Sequence, residues 1–340
     1  MRSRLGILLN SEFPHSLLMD IARQADALEL GTLWYGDERF YYETYTGLAA
    51  AALATSRLRV GPAVSDPYTR HPAITAAAMA SLDELSGQRG VLGYGAGASG
   101  FEILGIRPQR PVATLREAID IIRRLWRGEH VTSPGPEIPL NDAYLKVPAR
   151  ELEIYLAADG PKLLRLAGAI ADAAITSHCA SERILTPRVE QVTLGARAAG
   201  RAGSPKIVAR LDVSVAKDRD AAYAQMKVRV GRYLWARYPK IAYLDDHGLR
   251  LPPELERRLR AAGPFRRTHE LEFFRPFVDA IPDELVRPLA LVGTPDDVSV
   301  QLAAMFSAGV DEVMAYPVTD ASDPREMIAL LAGAASAVPN

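Results

Sequence analysis

Short apolar runs alternate with helical patterns along the chain. The run LGILLN (5–10) precedes SLLMDIARQADALELG, in which Leu17, Ile21, Ala25 and Leu28 share one helical face. TLWYGD (32–37) leads to a second helix at about 45–54, and RLRVGPAV (57–64) leads to PAITAAAMASLDELSG. In that third helix Pro72 suits the first turn, Ile74, Ala78, Leu82 and Leu85 line one face, and Gly87 ends it. GVLGYG is a fourth strand. After a loop, Thr114 and Glu117 have the spacing of a capping box, opening a helix that carries Leu115, Ile119, Ile122 and Trp126. EIYLAA (153–158), DAAITS (172–177) and KIVARLDVSVA (206–216) continue the series, with Pro161 opening the helix between the first two. Thr294 caps and Pro295 opens a helix with Val298, Leu302 and Met305, which stops at Gly309, and DEVMAYP is the eighth strand.

Eight strand-then-helix units predict an α/β protein, a (β/α)8 TIM barrel forming a single domain. Two spacings are long and read as insertions, about 127–150, rich in proline, and about 217–288, rich in charge and aromatics. With 340 residues, 48% of them apolar, the chain can bury a core of that size. In such barrels the loops after the strands build the active site.

Composition removes several alternatives. A net charge of −1 offers no electrostatic case for nucleic acid or an anionic membrane. The longest apolar stretch, GLAAAALAT (47–55), falls far short of the ~20 residues a membrane span needs. Cys179 is the one cysteine, so no internal disulfide forms, and a reducing compartment is expected. The N-terminus enters a strand-like run without a signal-peptide cleavage pattern, so the expectation is a soluble, cytoplasmic protein. The six histidines show neither H-x-H nor H-E-x-x-H, and no G-x-S-x-G is present, so neither a metal site nor an esterase is expected.

VLGYGAGASG (91–100) contains G-x-G-x-x-G, the pattern of a dinucleotide-binding turn. Such a turn belongs to a first strand and needs a helix starting inside the motif. Here the strand is the fourth, and FEILGIRPQRP follows instead of a helix. The dinucleotide reading is rejected. What remains is glycine turning a loop sharply, or bare backbone from Gly95 to Ala98 that a flat ligand can approach; the two are compatible.

Other strand ends carry candidate chemistry. GDERF puts Asp37 and Glu38 at the rim, as an acid–base pair or as a solvated loop pair. Arg70 and His71 stay open between binding an anionic substrate and structural roles, Arg70 pairing with a carboxylate and His71 packing before Pro72. ADGPK places Asp159 and Gly160 before a helix N-terminus, where free N–H groups favour an anion, although Asp159 as a plain N-cap is the commoner use.

The stretch GPAVSDPYTRHPAITAAAMASLDELSGQRGVLGYGAG resembles the luciferase-like superfamily of flavin- and deazaflavin-dependent barrels. It is most similar to the branch that uses coenzyme F420, on the side of methylenetetrahydromethanopterin reductase-like proteins. IYLAADGPKLLRLAGAIADAAITS and LVGTPDDVSVQLAAMFSAGVDEV follow the same pattern, so the resemblance covers nearly the whole chain, least clearly in the second insertion. It implies a coenzyme F420-dependent oxidoreductase transferring a hydride between the deazaflavin and a small organic substrate, with C=N or activated C=C reduction or the reverse oxidation as its chemistry. It also implies a homodimer through the early helices. Residue by residue, it implies that Asp37 lies near the deazaflavin hydroxyl edge. Ala63 and Val64 form a strand 3 bulge beneath the ring, joined by a cis peptide bond, with Ser65 and Asp66 beside them. Gly95, Ala96, Gly97 and Ala98 run along the ribityl chain. Ala157, Ala158, Asp159 and Gly160 hold the phosphate side, with Thr176 and Ser177 nearby. Asp37 and Glu38 are the expected proton donors, and the substrate is expected against Arg70, His71, Tyr243 and His247. Leu8 stands where family reductases often carry an acid, Glu38 where some carry His, and Ala98 where glucose-6-phosphate-oxidising relatives carry Glu. Sugar-phosphate oxidation is therefore not expected. Two rivals remain: an FMN-dependent luciferase-like monooxygenase, and a non-catalytic deazaflavin-binding protein.

Overall fold

All eight apolar runs form parallel strands, and each begins or ends where glycine, proline or a charged residue interrupts the run. A computed structural model describes residues 3–97, 100–135, 137–241, 244, 248–265, 271–318 and 323–338. The eight strands are β1 (Leu5–Leu9), β2 (Thr32–Tyr35), β3 (Arg59–Pro62), β4 (Leu92–Tyr94), β7 (Ile154–Ala157), β8 (Ala173–Ser177), β9 (Lys206–Val215) and β11 (Glu312–Pro317). Three further strands were not expected. β5 (Val131–Ser133) and β6 (Leu140–Ala143) form a two-stranded antiparallel sheet within 127–150, and β10 (Leu291–Gly293) pairs with β9. At three or four residues each, they are too short to show a period.

The chain divides into two compact units: Met1–Thr176 with Arg188–Val208, and Ser177–Pro187 with Ala209–Asn340. In the first unit β1 pairs with β2, β2 with β3, β4 with β7 and β7 with β8, all parallel. Bridges Val60–Gly90 and Ser65–Tyr94 join β3 to β4, so six strands form one continuous arc. Its helices are α1 (His15–Ala27), α2 (Thr44–Ala54), α3 (Pro72–Leu85), α4 (Pro111–Trp126) and α5 (Pro161–Ile170). Proline opens α3, α4 and α5, where its missing N–H costs no hydrogen bond. The capping box expected at Thr114 does not form. Helix α4 starts four residues earlier, at Pro111 with Arg110 as its N-cap, and the Thr114 hydroxyl, already inside the helix, reaches back to the Gln109 and Arg110 carbonyls.

The inner face of this arc is layered. At its base Arg59 donates to Glu153 (2.5 Å) and to the Tyr155 hydroxyl (3.1 Å), and Lys206 pairs with Glu153 (2.8 Å). Above it, fully buried Trp34 of β2 reaches Tyr155 of β7, with ring centroids 5.4 Å apart. The indole fits because β3 and β4 present Gly61 and Gly93 to it. A Cβ at either would lie 3.1–3.2 Å from Trp34 Cζ3 and would press into backbone oxygen. The small residues Ala63, Gly95 and Ala157 top the same strands.

In the second unit, α6 (Glu182–Ala198) begins, and β9 carries β10 alongside its last residues. The charge-rich stretch is largely helical, led by α7 (Arg219–Arg237), with Asp218 as its N-cap. Trp235 of α7 sits 5.3–5.9 Å from the Phe265, Phe274 and Phe277 rings, an aromatic cluster that explains the stretch's composition. Thr294 caps the Pro295–Ser307 helix as expected, and with Asp297 it completes a capping box. Among the described residues no helix is long and apolar enough to cross a membrane.

Candidate functional site

β2 delivers Asp37. Gly36 continues the ladder by donating to Leu9 O (2.8 Å), and the next residue leaves the sheet with its carboxylate turned toward β3. Asp37 Oδ2 accepts from Ser65 Oγ at 2.6 Å, and Thr44 Oγ1 lies 3.4 Å from Oδ1. Tyr45 Oη is 3.0 Å from Ser65 Oγ. Because the serine proton is committed to Asp37, Tyr45 is the donor, so a hydrogen-bond chain runs Tyr45 to Ser65 to Asp37. Burial pushes the Tyr45 hydroxyl well above its ordinary pKa, which keeps it a phenol and a donor. The Arg70 guanidinium lies 4.5 Å from the centroid of its ring.

The Ala63–Val64 peptide bond is cis, as the family resemblance implied. On either side of it the chain keeps both neighbours: Ala63 N donates to Tyr35 O of β2, and Ser65 N donates to Gly93 O of β4. The glycines of the β4 loop serve close packing. A Cβ on Gly95 would lie 2.8 Å from Val64 Cγ2 and 3.1 Å from Ala157 Cβ. Gly97 has φ +62, and a Cβ there would meet Phe101 and Asp66. Of the two compatible readings of VLGYGAGASG, these neighbours support the sharply turned loop directly. Ala96 lies between these glycines, and Ala98 is outside the described residues.

Asp66 and Glu38 differ in kind. Asp66 is fully buried and fully engaged: it accepts from Tyr68 N, Thr69 N and Thr69 Oγ1 at 2.8–2.9 Å and pairs with Arg39. Arg39 also donates to the Asp37 carbonyl (2.5 Å), so this pair shapes the loops on either side of the site. Glu38 Oε2, by contrast, is buried with no hydrogen-bond partner. A buried carboxylate oxygen without a donor is costly, and a bound group with an N–H or O–H would relieve it. Arg70 pairs with Glu43 (2.7 Å), and His71 Nδ1 accepts from Ala73 N as the N-cap of α3, so both side chains have structural partners. Tyr243 and His247 lie outside the described residues.

At the far side of the arc, β7 ends in Ala157 and runs through Ala158, Asp159 and Gly160 into α5. Gly160, not Asp159, occupies the N-cap, and no side chain caps the helix. The Asp159 carboxylate instead accepts from Thr176 Oγ1 (3.2 Å) and Arg188 Nη1 (3.1 Å), and Arg188 Nη1 also donates to Thr176 (2.6 Å). With the carboxylate turned to Arg188, the α5 N-terminus keeps its positive end open to an anion. Ser177 closes β8 and belongs to the second unit.

Tyr45, Arg39 and Arg188 were not read from the sequence as site residues. Each meets its partner only through the fold, and no motif marks them. The second unit holds another unread pair. His178, in left-handed backbone (φ +53), has Nε2 3.6 Å from Asp212 Oδ2 and stacks on Tyr233 at 4.0 Å. Burial pushes the His178 pKa below its ordinary value against the pull of Asp212, while Arg210 (2.9 Å) holds the Asp212 carboxylate well below its own despite burial. Unfolded histidine takes up its proton near pH 6.5, folded His178 only at lower pH. The stability that neutral His178 contributes is therefore complete above 6.5 and declines as pH falls from there toward the folded value, by at most about 1.4 kcal/mol per pH unit. In urea unfolding across pH 5–7.5, wild type should lose stability more steeply below that point than His178→Gln. Parallel profiles would contradict this.

These elements define an α/β barrel protein whose strand ends carry acids, a Tyr45–Ser65–Asp37 hydrogen-bond chain and a helix N-terminus without a side-chain cap. A model for the luciferase-like monooxygenase family matches residues 5–312, and the chain belongs to that family. It is 30% identical over 300 residues to the 5,10-methylenetetrahydromethanopterin reductase of Methanolobus tindarius, covering 86% of this chain and 88% of that protein. The coenzyme F420 dependent tetrahydromethanopterin reductase of Methanopyrus kandleri superposes with a TM-score of 0.84 at 23% identity over 98% of both chains. That likeness establishes the (β/α)8 fold. The oxygenating constituent of 3,6-diketocamphane monooxygenase from Pseudomonas putida, in complex with FMN, superposes with a TM-score of 0.71 at 21% identity, over 100% of this chain and 99% of that one.

Proposed function

We propose that the protein is a coenzyme F420-dependent oxidoreductase moving a hydride between the deazaflavin and a small organic substrate with a C=N or activated C=C bond, or the reverse. The observation that carries this reading is the Tyr45–Ser65–Asp37 chain at the ends of β2 and β3. It gives a two-electron enzyme what it needs beside a hydride: a carboxylate positioned to hold one proton.

The residues present fit such a cofactor. Glu38 has a buried oxygen waiting for a donor. The top of the arc carries only small side chains, Ala63, Gly95 and Ala157, on the strands that follow the Trp34 layer. The α5 N-terminus with Arg188 suits a phosphate. When bound, the deazaflavin supplies the hydride at C5. The protein's part is then definite. Asp37 holds or releases a proton at Oδ2, while Ser65 and the Tyr45 phenol behind it keep the carboxylate in place by hydrogen bonds. Glu38 orients the bound partner through Oε2. Arg39, locked on Asp66, fixes the backbone carrying Asp37 and Glu38. The buried apolar side chains around the site limit water, which strengthens each of these interactions.

Cofactor choice is tested by titrating F420 and FMN separately against the protein and following tryptophan fluorescence. F420 should bind the more tightly. Oxidation of reduced F420, followed at the deazaflavin absorbance, should then appear with some member of a panel of imines, enones and folate-like compounds. Tighter binding of FMN with oxygen consumption would replace this reading by the monooxygenase one.

A further inference from the structure

Arg70 stands in the loop between β3 and α3 that also carries Ser65 and Asp66. Its Nη2 donates to Glu43 Oε1 at 2.7 Å. Glu43 is the N-cap of α2, and its other oxygen, Oε2, accepts from Thr46 N (2.7 Å) and Thr46 Oγ1 (2.9 Å). The carboxylate is thus pinned to the helix end by one oxygen and holds the arginine with the other. From there the guanidinium lies over the ring of Tyr45, in the first turn of the same helix, 4.5 Å from its centroid. Arg70 Nε is buried and makes no hydrogen bond, so Glu43 and the ring are what hold the group. Two bridges therefore join the same two elements. Ser65 meets Tyr45, and Arg70 meets Glu43 and Tyr45; in each the loop supplies one partner and the N-terminus of α2 the other.

We propose that Arg70 is a positioning residue, one that braces Tyr45 against Ser65 and through them holds the Asp37 carboxylate in place for the reaction. The task of the carboxylate rests on the proposed function; the brace rests on the contacts themselves. A phenol donates in the plane of its ring, so the tilt of the ring decides whether the Tyr45 hydroxyl reaches Ser65 Oγ, 3.0 Å away. A planar guanidinium against the ring face restrains that tilt, which a compact ammonium does less well. Charge acts in the same direction. Burial raises the Tyr45 hydroxyl above its ordinary pKa, and the Arg70 cation pulls against that rise, so the proton stays on the phenol and is shared more strongly with Ser65. The ion pair alone would contribute little, because Glu43 is half exposed. Its part is to place the guanidinium over the ring.

The test is a double-variant cycle, read both in the single-turnover oxidation of reduced F420 and in cofactor titration. Arg70→Met keeps the length of the side chain and removes its charge and its plane. It should lower the single-turnover rate by about 2- to 30-fold, the range spanned by the strength of one cation–π contact, with cofactor affinity unchanged. Arg70→Lys should recover part of that loss. Added to Tyr45→Phe, Arg70→Met should lower the rate by no more than about a further 2-fold, because the hydroxyl it serves is already gone. Glu43→Gln, which can still accept from Thr46 N, should act in the same direction as Arg70→Met, and it decides the matter if thermal unfolding shows that Arg70→Met does not fold. An undiminished effect of Arg70→Met in the Tyr45→Phe background would overturn the brace. So would weaker cofactor or substrate binding at an unchanged single-turnover rate, which would make Arg70 a ligand contact. If the wild type oxidises no reduced F420, the proposed function fails, and urea unfolding decides the brace alone. The stability losses of Arg70→Met and Ser65→Ala should then be non-additive, since the two side chains are joined through Tyr45, and additive losses would overturn it.

Discussion

Asp37→Asn should lower turnover with reduced F420 by about 10²- to 10⁴-fold, the range that a positioned proton-transfer group contributes, while leaving cofactor affinity nearly unchanged. The asparagine keeps the size of the side chain, and its oxygen can still accept from Ser65. What it loses is the capacity to hold a proton at Oδ2, where the chain from Tyr45 ends. Tyr45→Phe should act in the same direction with a smaller loss, because water can replace a terminal donor more readily than the carboxylate it feeds. Stopped-flow absorbance separates the effects: cofactor binding is read from the titration and the chemical step from the single-turnover rate. An Asp37→Asn enzyme with wild-type single-turnover rate would remove Asp37 from the proton route.

Gly160→Glu should weaken F420 binding by ~10- to 100-fold, which is about 1.4–2.7 kcal/mol. Nothing lies within 4 Å of a Cβ built on Gly160, and its backbone is extended, so the new side chain enters without strain. An acid at a helix N-terminus is even mildly favourable to the helix. The fold therefore survives the change, and the variant reports on the ligand. Its carboxylate would occupy the positive end of α5 and repel the cofactor phosphate. Gly160→Ala, which adds no charge, should retain wild-type affinity. Fluorescence titration of both variants, with thermal unfolding as the control on folding, decides the matter. Equal affinity in Gly160→Glu would move the phosphate elsewhere.

The eight strands were legible because each lies in a short, largely apolar stretch bounded by breakers and followed by a helical pattern, even where, as in β3 (RVGP) and β4 (LGY), the strand itself holds glycine. The helix starts at Pro72, Pro161 and Pro295 were legible because proline at the first turn is a local preference. The start of α4 was misplaced for a related reason. Two local signals competed, Pro111 and the Thr114–Glu117 spacing, and only the packed helix shows that Thr114 is buried inside it. β10 and the β5–β6 pair are too short for periodicity, and they exist because a partner strand is present. The cis bond at Ala63–Val64 was reached through family resemblance and not from the residues themselves.

The same division runs through the site. By itself the sequence determined which residues stand at strand ends: Asp37 and Glu38 after β2, Ser65 and Asp66 after β3, and Asp159 and Gly160 after β7. Position after a strand is a property of the local chain. What each carboxylate does there was decided only by the tertiary structure. Asp37 accepts from Ser65, 28 residues away. Asp66 is consumed by Arg39 and its own loop, Asp159 is turned to Arg188, and Glu38 Oε2 is left without a donor. Hydrogen bonds act over about 3 Å in space and are indifferent to separation along the chain. Periodicity reports which face of an element is buried, but the partner waiting on that face is set by how the strands and helices pack.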